Sequence, residues 1–183
     1  MNHDDLSLKY YKFLDHWTAT GTRLTYIEAR QGQATRQVRV AGQGYLGSNV
    51  AYPGHNMDLP SCAVDYDAAP EVTPISQSEF EQVWQAHLAT RQDRWMAVKH
   101  TYPPGTVISG VIRIFYPQGV LVYLAEDALG LADYAACRAS TRPEYLYTGH
   151  KLTATVQEYD EADQWLILAN PHVHAERVPL PMH

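Results

Sequence analysis

Two histidines near the C-terminus have a spacing that suits metal binding. The segment "NPHVHAE" places His172 and His174 two residues apart, which on a β-strand puts both side chains on the same face. Two imidazoles on one face could share a Zn²⁺ ion, with Glu176 or His183 as a third ligand. An HxH pair in a terminal segment is more often solvated polar surface. We therefore predict no bound metal and no cofactor, and keep the pair only as a candidate.

Two other groupings could in principle support acid–base or nucleophilic catalysis. The loop segment "GHNMD" contains His55 and Asp58, and a carboxylate can orient an imidazole as a general base. Cys137 and His150 could serve as nucleophile and base. Neither grouping lies in a catalytic motif, and the sequence has no phosphate-binding glycine loop, CxxC pair or GxSxG segment. We predict that the protein is not an enzyme.

Composition favours a β-rich globular protein over one that binds polyanions. The 183 residues carry a formal charge of −6, and the 13 tyrosines favour strands, where aromatic side chains pack well. A protein that works by neutralising phosphates is usually basic, so this charge argues against nucleic acid and against anionic membranes. Two cysteines, Cys62 and Cys137, indicate reduced thiols, although a disulfide stays possible.

The start of the chain has no feature of a secretion signal. The segment "MNHDDLSLKYYKF" has early acidic residues and no apolar core, so we expect no signal peptide. No apolar run approaches the roughly 18 residues that a membrane-spanning helix needs. We therefore expect a soluble cytoplasmic protein without membrane contact.

Residues 1–102 predict a small α+β domain. A strand in "KYYKFLDHW" precedes a hairpin in "TRLTYIEARQGQATRQVRV", whose turn lies at Gly32. Between Gly42 and Pro74, abundant Gly, Pro, Asn and Asp predict long loops with short strands. Four charged residues of the hairpin are expected to face water: Arg23, Glu28, Arg36 and Arg39.

One amphipathic helix is predicted over residues 77–91. Ser76 and Glu79 fit a capping box, and Ile75 with Phe80 fits the accompanying hydrophobic staple. The segment "TYPPGT" then ends the domain, because paired prolines cannot continue a helix. The helix presents a core-facing stripe at helical spacing: Phe80, Val83, Trp84, His87 and Leu88.

Residues 103–171 predict a closed five-stranded barrel, and residues 172–183 a C-terminal tail. Short strands separated by turns close economically into a small barrel, because closure removes sheet edges. The fold class is therefore α+β, mainly β. The five strand segments are "TVISGVIRIF", "GVLVYLA", "GLAD", "KLTATVQEYD" and "QWLILAN".

Residues 105–170 resemble the S-one type RNA-binding domain, an OB-fold module. Gly105 and Gly110 in "GTVISGVI", Gly119 in "GVLVYL", the segment "LGLAD" and Gly149 in "GHKLTATVQEYD" follow the order and spacing of that family. The resemblance implies an OB barrel that binds single-stranded RNA by stacking bases on aromatic side chains of the second strand.

The positions that would contact RNA depart from the family pattern. The resemblance implies aromatic residues just before the glycine of the second strand and two residues after it, but Gln118 and Leu121 stand there. Asp133 replaces a histidine common at the end of the third strand. Between Gly105 and Asn170 there are four basic and eight acidic residues, so few cations are available for phosphate.

The predicted working surface is an apolar patch with acidic residues at its edge. Period-2 alternation with Val120 and Val122 inside places Leu121 and Tyr123 outside. Aromatic anchors favour a protein partner, engaged here or through the 42–74 loop. Phe115 and Trp165 also fit core packing, an interpretation that stays open. The alternative is single-stranded RNA, stacked on Tyr116 and Tyr123 with phosphate contacts from Arg113 and Lys151. The predicted face comprises Tyr116, Gln118, Leu121, Tyr123, Asp133 and Trp165.

Overall fold

The computed structural model describes residues 7–15, 23–42, 44–50, 59–60, 62–125 and 128–179. The chain divides into two compact units, Met1–Ser48 with Met57–Thr90, and Asn49–Asn56 with Arg91–His183. Both units are built mainly from strands, with few helices, as the composition predicts. Within these described ranges, no helix has the length and apolarity required to cross a membrane.

The first unit contains a five-stranded antiparallel sheet. Its strands are β1 (Leu8–Asp15), β2 (Arg23–Arg30), β3 (Gln33–Ala41), β4 (Gly44–Gly47) and β5 (Thr73–Pro74), in the order β4-β3-β2-β1-β5. The predicted hairpin is confirmed, because β2 and β3 pair around a turn at Gln31 and Gly32, whose φ angles are 50° and 76°. A Cβ on Gly32 would also lie 2.6 Å from the carbonyl oxygen of Val64. Glycine is therefore required at this turn both by conformation and by space.

Helix α1 (Gln77–Ala89) packs against one face of this sheet, as predicted. The Ser76 hydroxyl accepts the Glu79 N–H at 3.1 Å, which satisfies one of the free donors at the helix start. The predicted stripe is confirmed, since Phe80, Trp84, His87 and Leu88 are buried. The Phe80 ring lies 5.4 Å from the ring of Tyr10 on β1.

Of the charged residues expected to face water, Glu28 is buried and Arg36 is largely buried. The Glu28 and Arg36 side chains are 6% and 13% exposed and form an ion pair directly across β2 and β3. Arg36 also pairs with Glu81 of α1, and its guanidinium carbon lies 5.0 Å from the centre of the Phe80 ring. Alternation along the strands places these residues on the face that α1 covers, so the expectation for Glu28 and Arg36 is wrong.

The pKa shifts of Glu28 and Arg36 both favour the charged forms of this ion pair. Burial alone would raise the pKa of Glu28, but hydrogen bonds from Arg36 and Thr35 outweigh burial and hold that pKa below its usual range. Burial likewise opposes the charge on Arg36, and hydrogen bonds to Glu28 and Glu81 nevertheless raise its pKa. Both partners therefore stay ionised inside the first unit.

A second helix, α2 (Gln92–Thr101), follows α1 and belongs to the second unit. The sequence did not predict it, because its start has no side-chain cap and only Trp95 and Val98 of its ten residues are buried. The division between the units consequently falls between Thr90 and Arg91, whereas the sequence placed it near residue 102.

The second unit contains the predicted closed barrel of five strands. They are β6 (Val107–Tyr116), β7 (Gly119–Ala125), β8 (Ala128–Ala132), β9 (His150–Asp160) and β10 (Trp165–Arg177), in the order β10-β8-β7-β6-β9. Among the described strands of the barrel, β10 and β8 pair in parallel and the other neighbours pair antiparallel. Helix α3 (Tyr134–Ala139) and a 3-10 turn (Pro143–Tyr145) connect β8 to β9.

Close packing of the barrel explains two of its glycines. A Cβ on Gly110 would lie 2.6 Å from both the Tyr123 carbonyl oxygen and a methyl group of Val122, and one on Gly119 would lie 2.5 Å from the Ala132 carbonyl oxygen. These residues let neighbouring strands approach more closely than a side chain permits.

The segment predicted as a C-terminal tail is largely part of the barrel. Strand β10 continues through residues 172–177, with Val173 buried opposite Leu152 of β9. A bulge near Asn170, which has φ of 51°, redirects the strand so that pairing with β9 resumes at His172. The prediction of a tail from residue 172 is therefore wrong as far as Arg177.

Candidate binding surfaces

The centre of the predicted face lies on the outside of the barrel but is not exposed. Val120 and Val122 belong to the barrel core, as the alternation predicts. Leu121 points away from that core between Ile114 of β6 and Leu131 of β8, yet only 2% of it is exposed. Leu121 and its two apolar neighbours on one surface favour burial over contact with water. Leu121 is therefore a buried packing residue.

The aromatic members of the predicted face are also largely buried. Trp165 is 1% exposed and Tyr116 is 9% exposed, with their ring centres 6.1 Å apart. Tyr123 is half-buried. Trp165 is therefore a packing residue, whereas Phe115, for which packing was also considered, is 37% exposed. Of the expected patch of Tyr116, Leu121, Tyr123 and Trp165, only Tyr123 is partly exposed.

The two polar members of the predicted face have different positions. Gln118 is exposed in the tight turn between β6 and β7. Asp133 is exposed at the start of α3, where its carboxylate accepts the Ala136 N–H at 2.7 Å. Asp133 is therefore the N-cap of α3, a role that explains an acidic residue at this position.

Exposed aromatic side chains instead lie where the barrel meets α3, which we call the α3 end. Strands β6 and β8 finish there, β7 and β9 start there, and β10 pairs with the beginning of β9 through Arg177 and His150. Phe115 and Tyr134 are 37% and 49% exposed, and their rings pack edge to face at 6.2 Å. Tyr147, just before β9, is 61% exposed.

The predicted phosphate contacts also lie at or near the α3 end. Lys151 is the second residue of β9, and its ammonium group lies 3.3 Å from the Glu176 carboxylate. Arg113 is half-buried on β6 beside Ile112, whose carbonyl oxygen accepts the Gly149 N–H. Tyr116, the stacking residue predicted to act with these cations, is 9% exposed, so its ring is not presented to a base.

The two C-terminal histidines do share a face, as their spacing predicts. The His172 and His174 rings lie 4.7 Å apart. Nε2 of His174 is 3.0 Å from the Thr153 hydroxyl, and Glu176, a candidate third ligand, pairs with Lys151. The other candidate, His183, lies outside the described residues. No group of three potential metal ligands occurs in the part of the chain that the structure describes.

The environment of Cys137, the candidate nucleophile, disfavours its thiolate form. Cys137 is fully buried in the barrel core, and burial together with the nearby Asp133 charge raises the pKa of its thiol to about 11. Nδ1 of His150, its suggested base, is 3.0 Å from the His174 carbonyl oxygen. His55 and Asp58, the other suggested pair, lie outside the described residues. No nucleophile–base pair is formed by Cys137 and His150.

Both cysteines are free, and we expect only Cys62 to react in the folded protein. Cys62 is exposed, whereas the raised pKa of Cys137 lowers its thiolate fraction by about 100-fold and burial blocks access. An aromatic disulfide reagent near neutral pH should titrate one thiol quickly and the second only after denaturation. In Cys62→Ser no fast thiol should remain, and a fast thiol in that variant would contradict the buried position of Cys137.

A groove in the first unit involves part of the 42–74 loop. Residues 63–67, the start of β1 and the β2–β3 turn line an open groove of about 490 Å³. Its charged groups bind one another, since Asp67 accepts hydrogen bonds from the Lys9 ammonium at 2.8 Å and the Tyr11 hydroxyl at 3.0 Å. Hydrogen bonds between these side chains therefore stabilise the groove and occupy its charged groups.

Sequence reasoning missed the α3 end because its aromatic residues come from three separate segments. Phe115 is the penultimate residue of β6, Tyr134 starts α3 and Tyr147 precedes β9. A usable signal was their common position next to predicted strand ends, which meet at the same end of a barrel.

Compared with known proteins, the chain matches no protein-family model, and no curated protein has significant sequence similarity to it.

Proposed function

We propose that this is a non-catalytic binding protein whose OB-like barrel engages a protein partner at the α3 end. The observation that carries the proposal is the exposed edge-to-face pair of Phe115 and Tyr134, accompanied by exposed Tyr147. Aromatic side chains dominate the energetics of protein interfaces because they bury large areas with little conformational entropy loss. A paired arrangement is already ordered, which lowers the cost of binding further.

The absence of reactive geometry at Cys137 and His150 supports a binding role over a catalytic one. A buried thiol of raised pKa is a poor nucleophile, and the imidazole nitrogen is engaged by a backbone carbonyl. The exposed aromatic pair, in contrast, requires no movement of the barrel core to reach a partner. A partner can therefore bind the α3 end in the conformation that the structure describes.

Single-stranded RNA binding is a second candidate, favoured by the position of Arg113 and Lys151. Aromatic side chains and cations on one surface can stack bases and contact phosphates. The net charge of −6 weakens this candidate, as does the pairing of Lys151 with Glu176. The predicted stacking position at Tyr116 is also inaccessible to a base, because that side chain is only 9% exposed.

Affinity capture with a surface variant tests the proposal. The protein is immobilised, exposed to a native lysate with and without ribonuclease, and compared with Phe115→Ser/Tyr134→Ser. We expect the wild type to enrich the same protein in repeated captures, and the double variant to lose at least about tenfold of that enrichment. The matched control is Val107→Ser, which removes a 75% exposed apolar side chain at the opposite end of β6.

The outcomes separate the two candidates. Enrichment that survives ribonuclease and is lost in the double variant supports a protein partner. Enrichment abolished by ribonuclease favours the RNA candidate instead. Equal enrichment by the wild type and the double variant would overturn binding at the α3 end, provided that circular dichroism finds both proteins equally folded.

A further inference from the structure

The basic residues of the barrel are concentrated at one end. From Val107 onward the sequence contains five cations, and each lies at the α3 end or on the strand residues next to it. Two follow β8 within α3 and the turn after it, and the others lie near the paired ends of β6, β9 and β10. They are Arg113, Arg138, Arg142, Lys151 and Arg177.

Most acidic residues of the barrel lie on a different segment. Seven described carboxylates occur from Val107 onward, and four of them lie where β9 ends and β10 begins, a segment in which Glu161 pairs with Lys99 of α2. Glu126 and Asp127 lie outside the described residues. The four are Glu158, Asp160, Glu161 and Asp163.

Three carboxylates remain at the α3 end, and each already has an interaction. Asp133 caps α3, Glu176 lies 3.3 Å from Lys151, and Glu144 lies 4.0 Å from Arg142. Five cations against three carboxylates leave a formal excess of two positive charges. Among residues 107–125 and 128–179, three arginines have no ion-pair partner: Arg113, Arg138 and Arg177.

We infer that the α3 end docks an acidic segment of a partner protein, in which carboxylates flank an apolar side chain. This inference rests on the proposed function and adds the chemistry of the partner. The exposed Phe115–Tyr134 pair offers an apolar contact, and Arg138 projects from the helix that begins at Tyr134. Arginine binds carboxylates through two parallel hydrogen bonds, which makes it well suited to an acidic peptide.

Charge and geometry favour an acidic polypeptide over RNA. Single-stranded nucleic acid gains affinity by releasing counterions, with the logarithm of the binding constant changing by about 0.7 per phosphate neutralised for each decade of salt. Three unpaired arginines support few such contacts on a chain of charge −6. The ring planes of Phe115 and Tyr134 also meet at 78°, which interrupts the parallel faces that stacked bases would need.

Fluorescence anisotropy with defined probes tests this inference on the full chain. The probe is a fluorescein-labelled peptide of about twelve residues in which Glu and Asp flank one Phe, and its Lys-substituted analogue is the control peptide. A labelled oligouridylate of equal charge is the nucleic-acid probe. We expect saturable binding of the acidic peptide alone, weakened about tenfold or more between roughly 50 mM and 300 mM salt.

Arginine variants locate the binding site. The triple variant Arg113→Gln/Arg138→Gln/Arg177→Gln should weaken binding of the acidic peptide by about tenfold or more, and Arg138→Gln alone by a smaller factor. Arg30→Gln is the matched control for Arg138→Gln, because it removes an exposed arginine from the first unit and should leave binding unchanged.

Each outcome decides for or against the inference. Acidic-peptide binding that depends on the three arginines supports it. Equal binding of the oligouridylate, lost in the same triple variant, would overturn it in favour of RNA. Failure of the peptide to bind, or binding unaffected by the triple variant, would also overturn it. In that case, protein capture that survives ribonuclease and is lost in Phe115→Ser/Tyr134→Ser would leave the proposed function standing.

Discussion

Replacement of Arg36 by methionine is expected to lower the free energy of unfolding of the first unit by about 3–5 kcal/mol. The Glu28 side chain is only 6% exposed, so the substitution leaves a buried carboxylate without its cation. Glu81 also loses its ion pair, but its side chain is 32% exposed and can be solvated. The loss should appear in urea unfolding and in faster amide hydrogen exchange of β2 and β3.

The double variant Glu28→Gln/Arg36→Met separates buried charge from lost packing. With the Glu28 carboxylate removed, the buried charge that lacked a cation is gone, Glu81 stays partly solvated, and much of the stability should return. Methionine keeps apolar contact with Phe80, over which the Arg36 guanidinium lies in the native protein. A double variant as unstable as Arg36→Met would show that packing, and not the unpaired charge, causes the loss.

The effect of Arg36→Met should also depend on pH. In the wild type the pKa of Glu28 is lowered on folding, so its stabilising contribution is present above the unfolded-state pKa and is lost as pH falls through the folded-state pKa. Without Arg36 the buried carboxylate can be protonated more easily. The stability difference between variant and wild type should therefore narrow from neutral pH toward about pH 4. A difference that stays constant would contradict the charge mechanism.

Replacement of Gly110 by alanine is expected to cost the barrel about 3 kcal/mol. The new methyl group would lie 2.6 Å from the carbonyl oxygen of Tyr123 and equally close to a methyl group of Val122. The oxygen is backbone, held by the pairing of β6 with β7, so relief requires the two strands to separate. A methyl group at this position therefore opposes barrel closure.

The measurement is unfolding in urea, with hydrogen exchange of β6 and β7 to assign the loss to the barrel. Exchange is needed because a chain with two units need not unfold in a single transition. Ser109→Ala, at the exposed neighbouring position of β6, is the matched control and should change stability by less than about 0.5 kcal/mol. Equal stability of Gly110→Ala and Ser109→Ala would refute the close approach of β6 and β7.

Most of the strands could be predicted from the sequence, because each is a short apolar run between turn residues. The barrel strands β6 to β10 and the β2–β3 hairpin all begin within two residues of their predicted starts. Helix α2 could not be predicted in the same way, since "QDRWMAVKHT" has neither a capping side chain nor a continuous apolar stripe. It is stabilised by burial of Trp95 and Val98, which depends on tertiary contacts.

The binding surface was predicted less well, for a physical reason. Alternation determines which side of a strand a residue occupies, and Leu121 does lie outside the barrel. Alternation does not determine whether that side stays in water, and Leu121 does not. The same limit explains the incorrect placement of Glu28 and Arg36. Asp133 also has a local explanation in the sequence, because aspartate is a preferred N-cap.

The uneven distribution of charge on the barrel also bears on how a partner arrives. The α3 end carries an excess of cations, whereas four carboxylates lie where β9 ends and β10 begins. In the field of an acidic partner, this local excess of positive charge favours encounters at Phe115 and Tyr134, even though the chain as a whole is repelled. Electrostatic steering of this kind raises the fraction of encounters that are productive.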